Sequence, residues 1–371
     1  MPLHSNAARS LLPHFLALLY TLAIVYASLQ PFAPWIAPVP GTPFFLFAPW
    51  PTRWTRFDAI ANAVAYVPFG LFVALVRRRQ SPPGRLLVGI ATGAALSFTL
   101  ETAQMFLPPR DASMIDLLSN TAGAAVGGVL GVAFARSVSA RRVVVAFRQQ
   151  LFLPGKVGDL GLALVAIWLA VQVNPGIPLF TATFDPGFRL GPTTFVVPSP
   201  SAPDLAALLV ESAHSAFQLL GVGLFLALLL RDRRFVGGAV LVLLGAALLV
   251  KGIAAALLLK PAVWEHWLSP GVATGVAAGA LLLIVAIWLP RPVQVAVATV
   301  ALISSLLITL LTPDILFARA PLSAFNWSYG HLLNFNGLTH TVLIIWPIVA
   351  SLFLFALAGR PHWGEPTVTG H

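Results

Sequence analysis

The feature that most constrains this chain is a series of long apolar runs almost free of charge, at about 11–30, 57–76, 86–107, 115–135, 158–173, 206–230, 235–259, 271–290, 292–311 and 339–358. A run of about 18 residues or more, wound as a helix, crosses a hydrocarbon core about 30 Å thick while pairing its own backbone groups. The runs are continuous, not alternating, which argues against a membrane β-barrel. Residues are 58% hydrophobic and only 9% charged, whereas soluble domains carry about a quarter charged residues. The expected fold is an all-α polytopic membrane bundle of about ten transmembrane helices. The first run is read as a retained helix, because it is long for the apolar segment of a signal peptide and lacks a clean cleavage site.

The net charge of +10 is spread over short basic clusters between the runs, not gathered in one basic domain, so nucleic acid is not an expected partner. Arginine and lysine in short loops mark the cytoplasmic side. With the N-terminus inside, one side receives Arg9, then Arg77, Arg78, Arg79 and Arg85, then Arg136, Arg141, Arg142, Arg148 and Lys156, then Arg231, Arg233 and Arg234, and finally Arg291 and Arg360. The other side receives only Arg53, Arg56, Arg110, Arg189, Lys260 and Arg319. Both termini are therefore expected in the cytoplasm, in a multi-pass protein of the bacterial inner membrane. Organisation is read as a four-helix unit at 1–136, a basic cytoplasmic connector at 137–157 and a six-helix unit at 158–371. A faint repeat links FGLFVALVRRR at 69–79 with VGLFLALLLRD at 222–232, and the small residues around Gly123–Gly131 with those at Gly271–Gly279. Either the second unit is a degenerate copy of the first, or the likeness is that of any two alanine- and leucine-rich membrane helices.

Polar side chains inside a spanning helix are costly, and they persist where they have a partner or a task. Asp58 and Asn62 stand four apart, Glu101 and Gln104 three apart, and Asp116 and Asn120 four apart, so each pair shares one helix face. In the expected topology all three pairs lie toward the same outer surface, with Arg110 in the loop between the second and third. Gly123, Gly127 and Gly131 form a small-residue face that allows close helix approach.

The ordered run D58-x3-N62-x3-Y66-x-P68-x-G70, then E101-x2-Q104-x3-P108-x-R110-x5-D116-x3-N120-x2-G123, resembles the VanZ-like membrane protein family, whose namesake is associated with resistance to the glycopeptide teicoplanin. The resemblance covers about 120 residues, ending near Arg136. It points to Glu101, Gln104, Arg110, Asp116 and Asn120 as shared polar residues, with Asp58, Asn62 and Pro68 as partners, and it implies no settled reaction.

Chemically, Arg110 offers a planar fork of donors suited to phosphate or carboxylate. Glu101, Asp116 and Asp58 can orient it or act as acid and base, or the set can be a purely structural network. The expected ligand is a cell-envelope precursor or lipid headgroup at the outer leaflet, bound and conceivably modified, which leaves open whether the protein is an enzyme. A secondary transporter or flippase with a pathway between the two halves is the alternative. No metal site is expected, since no loop has fixed ligand spacing and no histidine lies between His14 and His214. No nucleotide, serine-elbow or other cofactor motif is present, so no cofactor is expected. In the second half, Glu211 and Lys251 are read as an intramembrane ion pair. Glu265, His266, His331, Asn334, Asn336 and His340 complete its polar set. The stretches 174–205 and 312–338 are read as an irregular loop and an aromatic interfacial segment.

Overall fold

A computed structural model describes residues 10–50, 55–77, 79–108, 110–174, 205–261, 268–312 and 329–360, with side chains of the last segment described from residue 337. Most of the loop 174–205, most of the segment 312–338, and Glu265 and His266 lie outside the described residues, as do the side chains of His331, Asn334 and Asn336.

Among the described residues there are eleven α-helices and no strand: α1 (Leu12–Leu29), α2 (Arg56–Val76), α3 (Pro82–Gln104), α4 (Met114–Arg136), α5 (Val138–Leu151), α6 (Gly155–Val171), α7 (Leu205–Leu229), α8 (Val236–Leu258), α9 (Pro270–Ala286), α10 (Arg291–Leu311) and α11 (Tyr329–Ala358). Eight are long and apolar enough to cross a membrane: α1, α2, α3, α4, α7, α8, α10 and α11. The polytopic all-α reading therefore holds, with a smaller count by this measure. The expected runs at 158–173 and 271–290 fall on α6 and α9, each 17 residues long. At 1.5 Å per residue such a helix rises about 26 Å, a little short of the hydrocarbon core.

The chain divides into two units, Met1–Gln150 with Pro154–Ala163, and Leu151–Leu153 with Leu164–His371, so one boundary falls within α6. In the stretch read as a connector, residues 138–151 form α5, whose polarity hides it from a search for apolar runs.

In the first unit the small residues of α4 meet α2 backbone to backbone. A Cβ at Gly123 would strike the carbonyl of Ala63, one at Gly127 the carbonyl of Val67, and one at Gly131 the side chain of Ala74 and the carbonyl of Leu71. The contact is reciprocal, because Gly70 of α2 lies on the carbonyl of Ala124. Such closeness is the lipid-phase substitute for hydrophobic driving force, since acyl chains are as apolar as leucine. On its other side α4 meets α3 through Gly93 against Ala124 and Gly128 against Leu86. Ile24, Tyr66, Phe69, Leu100 and Ala124 form the buried core between α1 and these three helices.

The second unit uses the same device. Gly271, Gly275 and Gly279 of α9 lie against Glu211, Ser212 with Ser215, and Ala216 of α7. Helix α7 is the central element, buried almost continuously from His214 to Leu229. Its Phe225 packs in tilted ring contacts with Trp346 and Phe353, Trp346 meets Trp168 in the same way, and Trp346 Nε1 donates to the Leu164 carbonyl at 2.8 Å.

Candidate functional site

Three helix ends and one turn build the polar cluster of the first unit. Thr55 caps α2: its hydroxyl accepts from the Asp58 backbone N–H and donates to Asp58 Oδ2 at 2.6 Å. Asp58 thus serves the helix start, where an acid also complements the helix dipole. One turn further, Asn62 Nδ2 donates to Asp116 Oδ1 at 2.7 Å, a contact between α2 and α4 just beyond their glycine-lined seam.

Glu101 is 4% exposed and belongs to the last turn of α3. Its Oε2 accepts from the backbone N–H of Ser113 at 2.8 Å, and Ser113 is the N-cap of α4. The carboxylate therefore ties the end of one spanning helix to the start of the next, at a terminus whose dipole favours negative charge. Gln104 Nε2 donates to the Ser28 carbonyl at 2.8 Å, which fastens α3 to the end of α1. Asn120 Nδ2 donates to Ser97 Oγ at 3.0 Å, with Tyr66 beside Ser97. Ser97 lies four residues before Glu101 on the same face of α3, a spacing that identifies it in the sequence once Glu101 is singled out.

Arg110 lies in the turn between α3 and α4, partly buried, with its backbone N–H on the Leu107 carbonyl. Its Nη2 donates to the Ala27 carbonyl at 3.3 Å. Glu101, Asp116 and Asp111 surround it electrostatically, yet among the described residues no ion pair within 4 Å includes it. Burial holds the guanidinium below its ordinary range, an effect the three carboxylates oppose in part, and among the described residues most of its fork has no hydrogen-bond acceptor. The structure thus gathers Glu101, Arg110, Asp116 and Asn62 at one end of the bundle. Gln104 and Asn120 brace that end, and Asp58 caps it.

The long connection from α1 to α2 lies at the same end. Ile36 N–H donates to the Phe106 carbonyl at 2.9 Å, two residues past α3. Phe44 and Phe45 pack their rings on Phe98. Trp35, Val39, Phe47 and Trp50 of this connection are exposed, Phe47 at 80%.

Residues 7–135 match the family model described as VanZ/LLP1. The N-terminal part of the chain is VanZ-like. Every member of the polar cluster falls inside the VanZ-like region, which ends one residue before the last residue of α4. No curated protein and no solved structure matches the chain.

The second unit, beyond the VanZ-like region, holds its own buried polar row on α7. Ser305 Oγ donates to Gln218 Oε1 at 2.9 Å, which spends its one proton, so at 3.0 Å it accepts from His214 Nε2. Ser269, the N-cap of α9, donates its hydroxyl to Glu211 Oε2. Lys251 Nζ donates to the Asn174 carbonyl at 2.9 Å, and Asn174 Nδ2 to Thr339 Oγ1 at 2.8 Å. The described hydrogen bonds of Glu211 and Lys251 thus run to Ser269 and to the Asn174 carbonyl. Among the described residues no group of three or more histidine, cysteine, aspartate or glutamate side chains is arranged to hold a metal.

Proposed function

We propose that the VanZ-like unit binds an anionic lipid headgroup or lipid-linked envelope precursor at the leaflet facing away from the cytoplasm, with Arg110 as the anion-binding group. The observation that carries this reading is the Arg110 guanidinium, set among three carboxylates and, among the described residues, paired within 4 Å to none of them, with one long bond to the Ala27 carbonyl. A network whose sole purpose was to pin the turn would close that fork on Glu101 or Asp116. Instead, Glu101 and Asp116 are engaged by Ser113 and Asn62, which leaves the cation oriented and open. The uncharged aromatic connection at 31–50 supports a lipid-borne ligand, because exposed tryptophan and phenylalanine at a helix end favour the headgroup level of a bilayer. Glu101 and Asp116, within electrostatic reach of one another, are placed to receive the hydroxyls or ammonium of such a headgroup, or to move a proton on it. Through that ligand the protein acts on glycopeptide susceptibility.

A transporter would need polar groups along its length. The buried row on α7 stops at Gln218, and the next eleven residues, Leu219–Leu229, carry no charged, amide or hydroxyl side chain.

Two results test the proposal. Arg110→Lys keeps the charge and loses the planar fork, so retention of a polyprenyl phosphate in native mass spectrometry should fall about tenfold or more, while the melting temperature in detergent stays near wild type. Unchanged retention at normal stability would remove Arg110 from the site; unfolding would make the cluster architecture. Independently, the proposed inner-membrane orientation places Arg78 and Arg233 in the cytoplasm. Reporter fusions there should be active only in the cytoplasmic form, and a periplasmic signal at either would put the site on the other leaflet.

A further inference from the structure

Helix α5 follows the membrane-spanning α4 after a single residue, Ser137, which places its start at the boundary of the bilayer. Ala140, Val143, Val144, Phe147 and Leu151 recur at helical spacing along one side, and Arg141, Arg142 and Gln149 occupy the other, with Val138 and Val145 among them. No residue of α5 is buried. The apolar side is open: Val143 is 68% exposed, Val144 51% and Phe147 57%. Its rotation is nonetheless fixed. Arg148 Nε and Nη2 both donate to Asp159 Oδ1 in the first turns of α6, at 3.2 and 2.9 Å, and Asp159 Oδ2 accepts from the Leu11 N–H at 2.7 Å. A helix clamped at one end, with a defined apolar stripe turned outward, presents that stripe to something.

We infer that α5 is an interfacial helix that rests on an anionic leaflet at the α4 C-terminal end of the first unit. Val143, Val144 and Phe147 enter the boundary between headgroups and acyl chains, while Arg141 and Arg142 face lipid phosphates. Three observations commit the occupant to lipid. The helix begins where a spanning helix leaves the bilayer, so a leaflet edge is at hand. Its polar side carries two exposed arginines and no acid, which complements a negative surface and would repel a second copy of itself. Its apolar side is one helix wide, the size that sinks to headgroup depth. This site lies at the opposite end of α4 from Arg110 and does not depend on the ligand proposed there.

The sequence contains no cysteine, so single cysteines report on single positions. Val143→Cys, Phe147→Cys and Gln149→Cys, each in the full chain and labelled with an environment-sensitive fluorophore, are to be reconstituted in vesicles of phosphatidylglycerol and phosphatidylcholine. Lipid brominated on the acyl chain should quench the labels at 143 and 147 several-fold more than the label at 149. Equal quenching at the three positions overturns the proposal. So does protection of 143 and 147 that rises with protein density and ignores brominated lipid, since a second copy would then cover the face. In the double variant Arg141→Gln with Arg142→Gln, the excess of phosphatidylglycerol over phosphatidylcholine retained on purification should fall about thirtyfold, at about 1 kcal/mol per arginine. An unchanged ratio overturns the anionic preference.

Discussion

Gly127→Leu is expected to leave almost no folded protein, the largest effect of any single change in the first unit. The position has no room on the α2 side: even a Cβ would meet the Val67 carbonyl and the Leu71 N–H, both of them helix backbone that cannot rotate away. A leucine must therefore push α4 off α2 and forfeit the whole close contact from Gly123 to Gly131. Overpacking in a core that can adjust costs about 1–3 kcal/mol, and here the obstacle is main chain, so a loss above about 4 kcal/mol is expected. Gly127→Ala should fall between this and wild type. The control is Gly245→Leu on α8, the same chemical change at an exposed position where nothing lies within 4 Å of the added Cβ. Melting in detergent and the monodisperse fraction after extraction measure the effect. If Gly127→Leu and Gly245→Leu melted together near wild type, the glycine face would not be what joins α2 to α4. Because Asn62 reaches Asp116 just beyond this seam, the polar cluster should be lost with the packing.

The glycine face shows why part of the molecule is legible in sequence. Membrane helices obey two simple constraints, length and the placement of small or polar residues, and both leave periodic marks. Gly123, Gly127 and Gly131 announce a close contact, and Gly271, Gly275 and Gly279 another. The partner helices, α2 and α7, are those whose stretches at 69–79 and 222–232 resemble one another. The three polar pairs mark one depth in the same way, and the structure brings Asn62 to Asp116 and Glu101 to the start of α4.

What the sequence hides is direction and backbone partnership. Glu101 and Arg110 look like an ion pair, but the carboxylate takes the N–H of a helix cap and the guanidinium takes a carbonyl of α1. Backbone partners have no side-chain signature. Glu211 and Lys251 likewise have contacts that charge alone does not announce, a serine hydroxyl and a main-chain carbonyl. Helix α5 is hidden by its polarity, since apolar runs are sought over windows too long to register a half-apolar helix of 14 residues. Asp159 escapes notice because a lone acid near the start of an apolar run reads as a boundary mark, whereas it proves to be the meeting point of three elements.

Asp159→Ala is accordingly the second large effect expected, and it is structural. Asp159 is 1% exposed and serves two donors, the Arg148 guanidinium through Oδ1 and the Leu11 N–H through Oδ2. Its removal strands a nearly buried arginine and an orphaned N–H at the start of α1. Breaking one partner of a buried pair costs about 3–5 kcal/mol, most of it the penalty on the charge left behind. That account makes a further demand. In Arg148→Met with Asp159→Asn, no unpaired charge remains and the amide oxygen can still accept from Leu11, so most of the lost stability should return. A double variant as unstable as Asp159→Ala would mean that the attraction itself, not the stranded arginine, carries the effect. Fluorophores at positions 143 and 147 supply a second readout, because the clamp sets the rotation of α5. In Asp159→Ala their quenching by brominated lipid should converge on that of position 149, and in the double variant it should converge as well, since neither protein retains the ionic clamp. Stability and orientation are thereby separated: the double variant should recover the first and not the second, and recovery of both would show that α5 finds its orientation from the leaflet alone.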